Sequence, residues 1–446
     1  MKINDEVILD IQDIGVNGEG VAFLNNKPVF VPFCLPTEKV QAVITKITDK
    51  YYIAKLTNVL IKSNNRIEPL CPYFYQCGGC SLQHLDYENQ LKFKTNLVKQ
   101  NIKKYANIDA KILPCISSEN TYFYRNKLEF KIGKKSDLKN SYKLGFYKLN
   151  SNCIVPLITC KLCESWVDNV ILCLNNYIKF VTENSKYYAN FFDTISSVVV
   201  RYLGKNLTIT FVTKSKQFLC KDFLINQLKI YFKNFNLLHN INTTSFQFGK
   251  TFKVLHGSIS NNYQTLSVNH KISADSFVQV NEDIQNKIYK QVLNEVSTNA
   301  NIVDAYSGAG LLSAIISKKA KKVLAVEIIE NAVNDAKILL QNNGITNVEA
   351  ICGDCAKILP KLLSSDTNYQ VILDPPRSGC DKNIVDALSI STNIEKIIYI
   401  SCASTTLARD LKILMQNGKY KIKYIQPFDM FPQTSHIETL LVLEKV

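Results

Sequence analysis

The chain lacks the segments that would carry it into or across a membrane. Met1-Lys2-Ile3-Asn4-Asp5-Glu6 runs straight into acidic side chains, without the apolar core of a secretory leader. No stretch approaches the roughly 20 apolar residues that a bilayer span requires. These absences predict a cytoplasmic location and no membrane partner. Internal repeats and low-complexity tracts are missing too, which excludes solenoid and linker-like architectures. Acidic residues are scarce: 38 Asp and Glu face 53 Lys and Arg, a formal net charge of +15. Such a surplus favours a polyanionic partner, nucleic acid before anionic membrane, although a composition rich in Lys and Asn also produces a merely solvated basic surface. In a reducing compartment the 14 cysteines are not disulfides, and clustered ones point to metal ligands or catalysts.

At 446 residues, 46% hydrophobic and 20% charged, the chain is globular and too long for one core. Residues 1–60 read as about five short strands punctuated by Gly15, Gly18 and Gly20, the pattern of a small OB-like β-barrel. Residues 61–265 hold a cysteine cluster, a helix over 87–105 with an apolar face through Leu91, Phe93, Leu97 and Ile102, a helix over 167–181, and several strands rich in aromatics and lysine. This predicts a mixed α+β middle domain. Residues 266–446 turn, from about 285, to alternating helices and strands, which predicts a C-terminal α/β Rossmann-like domain on a largely parallel sheet.

Within that last third, Ile302-Val303-Asp304-Ala305-Tyr306 reads as a strand, then Ser307-Gly308-Ala309-Gly310 as a turn, then a helix from Leu311. The turn lacks the third glycine of a dinucleotide phosphate cradle. Acids close the successive strands at Glu327, Asp354 and Asp374 and so gather at one carboxyl edge. They suit S-adenosylmethionine, a sulfonium cation without phosphate, and the pattern looks like a class I methyltransferase. Cys352 and Cys355 have C-x-x-C spacing but no second pair to complete a zinc site. Another apolar run ends at Ser401-Cys402, where a thiol could act as a nucleophile; a cysteine in such a place is more often inert packing.

Three strings, Asp374-Pro375-Pro376-Arg377-Ser378-Gly379, Tyr399-Ile400-Ser401-Cys402 and His436-Ile437-Glu438, together with Ser276-Phe277-Val278-Gln279-Val280-Asn281, resemble the RNA uracil-C5 methyltransferase family. Gly18-Glu19-Gly20, Phe30-Val31-Pro32 and Leu35-Pro36-Thr37-Glu38 resemble its N-terminal TRAM domain. The resemblance covers the whole chain and is closest to the enzymes that make 5-methyluridine in 23S ribosomal RNA. It implies Cys402 as the nucleophile that adds to carbon 6 of uracil, and Glu438 as the base that removes the carbon 5 proton. It implies Gln279, Tyr306, Glu327 and Asp374 as S-adenosylmethionine ligands. Ala403-Ser404 stand where the family has Asn-Pro, which puts the loop geometry after Cys402 in question. No obligate protein partner is implied. Transfer RNA as the substrate, and an iron–sulfur RNA-binding module without catalysis, are the rival readings.

Cys71-Pro72-Tyr73-Phe74-Tyr75-Gln76-Cys77-Gly78-Gly79-Cys80, followed by Gln83-His84, resembles the family's iron–sulfur motif. Cys71, Cys77 and Cys80 need a fourth thiolate for a 4Fe–4S cluster. Cys153, Cys160 and Cys163 are available, and the family spacing fits Cys160 best. Four-thiolate zinc is the rival centre. Tyr122-Phe123-Tyr124-Arg125-Asn126-Lys127 mixes rings with cations, the means of holding unpaired bases and phosphates; an ordinary strand with a solvated face has the same composition.

Overall fold

A computed structural model describes residues 1–134, 142–363 and 367–446. The N-terminal unit is a curled six-stranded sheet of β1 (Glu6–Asp10), β2 (Asp13–Ile14), β3 (Gly20–Leu24), β4 (Lys27–Val31), β5 (Lys39–Ile47) and β6 (Tyr52–Ile61), in the order β1-β5-β6-β4-β3-β2. Alternation makes its interior: Val40, Ala42 and Ile44 of β5 point inward and pack with Leu9, Val29, Val31 and Tyr52. Pro32 ends β4, and Phe33 then adopts a left-handed φ of 66°. Its ring meets Phe74 and Tyr75 of the cysteine segment edge-on. Buried Glu38 accepts from the Arg66 Nε at 2.5 Å and Nη2 at 2.7 Å, tying the barrel to the chain that follows it.

The cysteine segment leads into α1 (Tyr87–Asn101), which continues as a π-helical turn over Ile102–Ala106. The middle unit comprises β7 (Lys127–Lys134), β8 (Tyr142–Tyr147), β9 (Ile154–Pro156), α2 (Trp166–Asn184), α3 (Tyr188–Phe192), β10 (Ile195–Leu203), β11 (Asn206–Thr213), α4 (Lys221–Tyr231), β12 (Phe235–Ile241) and β13 (Thr251–His256). Its seven strands lie in the order β13-β12-β11-β10-β7-β8-β9. The helices cover one face around a core that includes Phe130, Trp166, Tyr177 and Phe211.

A hairpin of β14 (Ser260–Thr265) and β15 (Val268–Ser273) precedes α5 (Glu282–Glu295), β16 (Asn301–Ala305), α6 (Leu311–Ile316), β17 (Lys322–Glu327), α7 (Glu330–Asn342), β18 (Val348–Cys352), α8 (Cys355–Leu363), β19 (Tyr369–Leu373), α9 (Lys382–Ile390), β20 (Ile394–Ser401), α10 (Ser404–Leu414), β21 (Tyr420–Phe428) and β22 (Glu438–Lys445). The sheet order is β18-β17-β16-β19-β20-β22-β21. The first five strands in that order are parallel, and β22 inserts antiparallel between β20 and β21. The order reverses between β16 and β19, the place where open sheets of this kind bind ligands. Among the described residues no helix is long and apolar enough to cross a membrane.

The helix expected over 87–105 buries Leu97 and Ile102 of its predicted apolar face, and it buries polar residues beside them. Leu91 and Phe93 are half-buried, whereas Gln90, Lys94 and Asn101 are buried beside Leu97 and Val98. The cause is what α1 meets. It packs on the C-terminal sheet, with Val98, Ile102 and Ala106 in the same core as Leu407 and Leu441, and its polar residues reach polar partners there. Lys94 and Asp429 form an ion pair with both side chains wholly buried, and the Lys94 Nζ also donates to the Phe431 carbonyl at 3.1 Å. The segment 112–116 follows α1 onto the same domain, with isolated bridges from Ile112 to Ile425 and from Ile116 to Phe428.

Breaking one half of a buried pair strands the other charge without water, at a cost of about 3–5 kcal/mol. Lys94→Met is therefore expected to lower the unfolding midpoint sharply. Lys94→Met combined with Asp429→Leu should recover most of the loss, and denaturant titration of the three proteins checks this.

Candidate active site

The turn after β16 is built from left-handed backbone. Tyr306, Gly308 and Gly310 have φ of 63°, 54° and 74°. A Cβ on Gly310 would stand 2.9 Å from the Ala336 Cβ of α7, so the close approach of turn and helix requires glycine there; one on Gly308 would point into open space. The turn is held by the acid expected to grip a ligand. Glu327, at the tip of β17, accepts from the Gly308 N–H at 3.0 Å and the Ile329 N–H at 2.9 Å. Gln279 lies on the linker into α5, its carbonyl accepting from the Asn126 side chain at 3.1 Å. The Tyr306 phenol lies against the Cys380 thiol, and burial pushes its pKa up.

Acids crowd this edge. Asp304 is buried under the turn and accepts a hydrogen bond from the Ser313 hydroxyl. Burial pushes its carboxyl up to about 7, and the Glu327 charge adds to the effect. Asp374, just beyond β19, is likewise pushed up to about 7, by burial first and then by Asp304.

Cys402 and Glu438 come together through strand pairing. Ser401, the last residue of β20, is in register with Thr439 of β22. The thiol just past one strand thus neighbours the carboxyl that starts the other. Burial holds the Glu438 carboxyl well above the carboxylate range, Asp374 reinforces this, and Arg377 opposes it. Burial likewise raises the Cys402 thiol, with Glu438 adding to the shift and Arg377 lowering it. The three strings that carry Asp374 and Arg377, Cys402 and Glu438 thus meet at one edge of the sheet, near enough for their charges to shift one another. Arg377 and Asp304 had no assigned role in the sequence reading; Arg377 is the cation that favours a thiolate here. The loop after Cys402 is well supported despite its Ala403-Ser404. The Ala403 N–H donates to the Ser401 hydroxyl at 3.2 Å, Thr406 donates to the Arg377 carbonyl at 3.3 Å, and the Asn101 amide of α1 donates to the buried Ser404 hydroxyl at 2.8 Å.

The structure brings Cys71, Cys77, Cys80 and Cys160 to the wall of one cavity of about 480 Å³. Cys163 instead sits in the core of the middle unit, and Cys153 is exposed; neither lines that cavity. The Gly78 N–H donates to the Tyr147 carbonyl at 2.9 Å, and the Gly79 N–H to the Cys77 sulfur at 3.4 Å. Burial raises the thiols of Cys71, Cys77 (to about 11) and Cys80. Cys160 alone is lowered, to about 7, chiefly because Cys163 hydrogen-bonds to it. Among the described residues no group of three or more His, Cys, Asp or Glu is placed to hold a metal ion. His84, buried against Phe33 and Phe74, has neither ring nitrogen partnered.

The stretch of rings and cations at 122–127 serves mostly to join segments. The Tyr124 hydroxyl donates to the Pro432 carbonyl at 3.1 Å, Asn126 bonds to Gln279 as above, and the Arg125 Nε donates to the Lys127 carbonyl at 2.9 Å. Phe123 stays exposed, and so does Phe277, at 82%, a ring the sequence reading did not single out for base contact.

A sequence profile described as tRNA (uracil-5-)-methyltransferase matches residues 86–446, and one for the TRAM domain matches residues 2–57. An uncharacterized RNA methyltransferase of Clostridium tetani is 34% identical over 457 residues, spanning 99% of this chain and 97% of its own. One from Clostridium acetobutylicum is also 34% identical, over 100% and 98%. The fold is similar to that of the Pyrococcus abyssi tRNA (uracil-54, C5)-methyltransferase solved with S-adenosyl-L-homocysteine. The TM-score is 0.74 at 22% identity, over 98% of this chain and 100% of that one. The multidomain arrangement of N-terminal barrel, mixed middle unit and Rossmann-like C-terminal domain is thus borne out.

Asp304 binds its proton more tightly folded than unfolded, so its contribution to stability is greatest below about pH 4 and is lost as pH rises to about 7. Asp304→Asn keeps an acceptor for Ser313 and removes the ionisation. The variant should lose part of the wild-type fall in melting temperature between pH 5 and 8; an unchanged slope in thermal melts would contradict the assigned shift.

Proposed function

The chain belongs to the tRNA (uracil-5-)-methyltransferase family and is an S-adenosylmethionine-dependent RNA methyltransferase, and we propose that it methylates carbon 5 of a uridine in 23S ribosomal RNA through covalent catalysis by Cys402. The observation that carries the mechanism is the register of β20 with β22, which sets a thiol and a carboxyl side by side at the ligand-binding edge of the sheet. Carbon 5 of uracil is a poor nucleophile. Addition of the Cys402 thiolate to carbon 6 makes an enolate, and carbon 5 then takes the methyl group from the sulfonium. Glu438 removes the carbon 5 proton, and the electron pair returned to the ring expels the thiolate. In the free protein burial and Asp374 raise the Glu438 carboxyl, and Arg377 opposes this. A sulfonium cation beside Asp374 would work in the same direction as Arg377, readying the base. Gln279, Tyr306, Glu327 and Asp374 would line the cofactor site, with Glu327 also fixing the turn.

Three domains, 1–60, 61–265 and 266–446, would clamp a folded RNA loop and extract the base, an arrangement suited to the cytoplasm and needing no protein partner. A transfer RNA target is the second reading, favoured by the similarity to the Pyrococcus abyssi enzyme, a tRNA (uracil-54, C5)-methyltransferase. That enzyme matches along nearly the whole chain, so the barrel does not separate the two targets. The cysteine motif is what leads us to ribosomal RNA. Mapping 5-methyluridine in both RNAs from cells lacking the protein decides: loss from 23S RNA is expected, and loss confined to transfer RNA overturns the choice.

For the cysteine centre we propose a 4Fe–4S cluster held by Cys71, Cys77, Cys80 and Cys160; what supports the reading is that all four line one cavity. Such a cluster would order this segment and the RNA surface near it; methyl transfer needs no electron. Anaerobically purified protein should be brown with about four irons per chain, and Cys160→Ser should lose them while Cys153→Ser keeps them. Stoichiometric zinc without iron would reject the cluster.

For the catalytic pair, Cys402→Ala should bind S-adenosylmethionine but form no adduct with 5-fluorouridine RNA, whose fluorine cannot leave as a proton. Glu438→Gln should accumulate a methylated protein–RNA adduct on ordinary uridine. Wild-type turnover by Glu438→Gln, with no labelled adduct on a denaturing gel, would transfer the proton removal to another group.

A further inference from the structure

Residues 429–437 form the connection that delivers Glu438 to the start of β22, and it is fastened to three distant parts of the chain by the backbone and side chain of one buried residue, Gln433. The Gln433 carbonyl accepts from the N–H groups of both Ser81, at 3.1 Å, and Leu82, at 3.0 Å. Its N–H donates to Gln90 Oε1 of α1 at 3.1 Å, while its own Oε1 accepts from Gln90 Nε2 at 3.0 Å. Its Nε2 donates to the Thr121 carbonyl at 3.3 Å. Every polar group of the residue is engaged, and the residue is 2% exposed. Its φ of 70° lies in the left-handed region, a conformation that a residue with a long side chain keeps only when its surroundings enforce it. One step closer to Glu438, the Ser435 N–H donates to the Ser81 hydroxyl at 3.1 Å.

Ser81 and Leu82 follow Cys80 directly in the chain. The same two residues thus continue the cysteine segment and grip the connection that ends at Glu438. A simple β-connection would need none of this; hairpin turns close on their own hydrogen bonds.

We propose that Gln433 is a positioning residue for Glu438, and that with Ser81 it fixes the carboxyl against the Cys402-bound base by clamping the 429–437 connection to the cysteine segment. The proposal rests on Glu438 being the proton-removing group. A clamp of this kind acts on the last chemical step. Thiol addition and methyl transfer depend on Cys402 and the cofactor edge, which other contacts hold. Proton removal depends on where the carboxyl stands, and a small displacement slows it strongly.

Gln433→Gly keeps the left-handed backbone and removes the amide bonds. Ser81→Ala deletes only the hydroxyl and guards against a folding defect in the first variant. Each is assayed with methyl-labelled cofactor and uridine RNA on a denaturing gel, with S-adenosylhomocysteine affinity measured alongside. The expected result is cofactor affinity within about twofold of wild type and a labelled protein–RNA adduct raised about tenfold in Gln433→Gly, and less in Ser81→Ala, a barrier change of about 1.4 kcal/mol for the tenfold. Wild-type turnover without adduct overturns the proposal. So does an equal loss of adduct formation and product release, which is the mark of general damage. Glu438→Gln run in parallel separates the two readings: if it traps adduct and the clamp variants do not, the clamp fails and the base stands; if it traps none, the base assignment itself fails.

Discussion

The antiparallel insertion of β22 beside β20 is the constraint on which the rest depends. Five parallel strands deliver their side chains to one carboxyl edge, but a strand running the other way delivers its first residue there instead of its last. Glu438 is that first residue, and Ser401 beside Cys402 is its neighbour's last. Strand register is set by which face is buried, and a slip of one residue turns every side chain over. Here Leu440 and Val442 face one layer of the core and Leu441 and Leu443 the other, so the apolar packing on both faces fixes the relation of thiol and carboxyl.

Electrostatics then gives that edge its character. Burial raises Asp304, Asp374 and Glu438 alike; Glu327 adds to the shift at Asp304, Asp304 to that at Asp374, and Asp374 to that at Glu438. A crowd of acids that cannot all ionise is a poor place for an anion and a good one for a cation. Arg377 opposes the upward shift, lowering the pKa of both Cys402 and Glu438 toward their ionised forms. This is consistent with a positively charged methyl donor and with a thiol used only once the site is filled.

Much of this was legible in the sequence because it depends on local pattern. Apolar runs ending in acids announce strands and their carboxyl edge, and the turn at 307–310 announces the helix that follows. The rest depends on partners far away in the chain. The helix expected over 87–105 buries Leu97 and Ile102 as its pattern marks, but it leaves Leu91 and Phe93 half-buried and buries Lys94 and Gln90 as well, and only the fold supplies Asp429 and Gln433 to receive those two. Glu327 looked like a ligand-gripping acid, and nothing local reveals that its two oxygens are already held by the Gly308 and Ile329 N–H groups. Tyr124 and Asn126 had the composition of a nucleic-acid surface and turn out to join the middle unit to the linker and to the 432 region. Composition identifies what a side chain can bond to; it does not say whether protein or ligand reaches it first.

The same reasoning explains why α1 is polar where it is buried. A helix that had only to cover the sheet would present Leu and Val throughout. Lys94, Gln90 and Asn101 add direction to the contact, because each hydrogen bond is satisfied in one placement alone, and a buried polar group left unsatisfied costs about 1–3 kcal/mol. Lys94 reaches the Asp429 end of the connection before β22, Gln90 its middle at Gln433, and Asn101 the Ser404 that follows Cys402. One helix from outside the C-terminal sheet therefore touches the chain on both sides of the reacting pair. Apolar packing makes the contact stable, and the polar residues within it make the placement unique. Uniqueness is the property that a carboxyl acting on one proton of a covalently held ring requires of the structure around it.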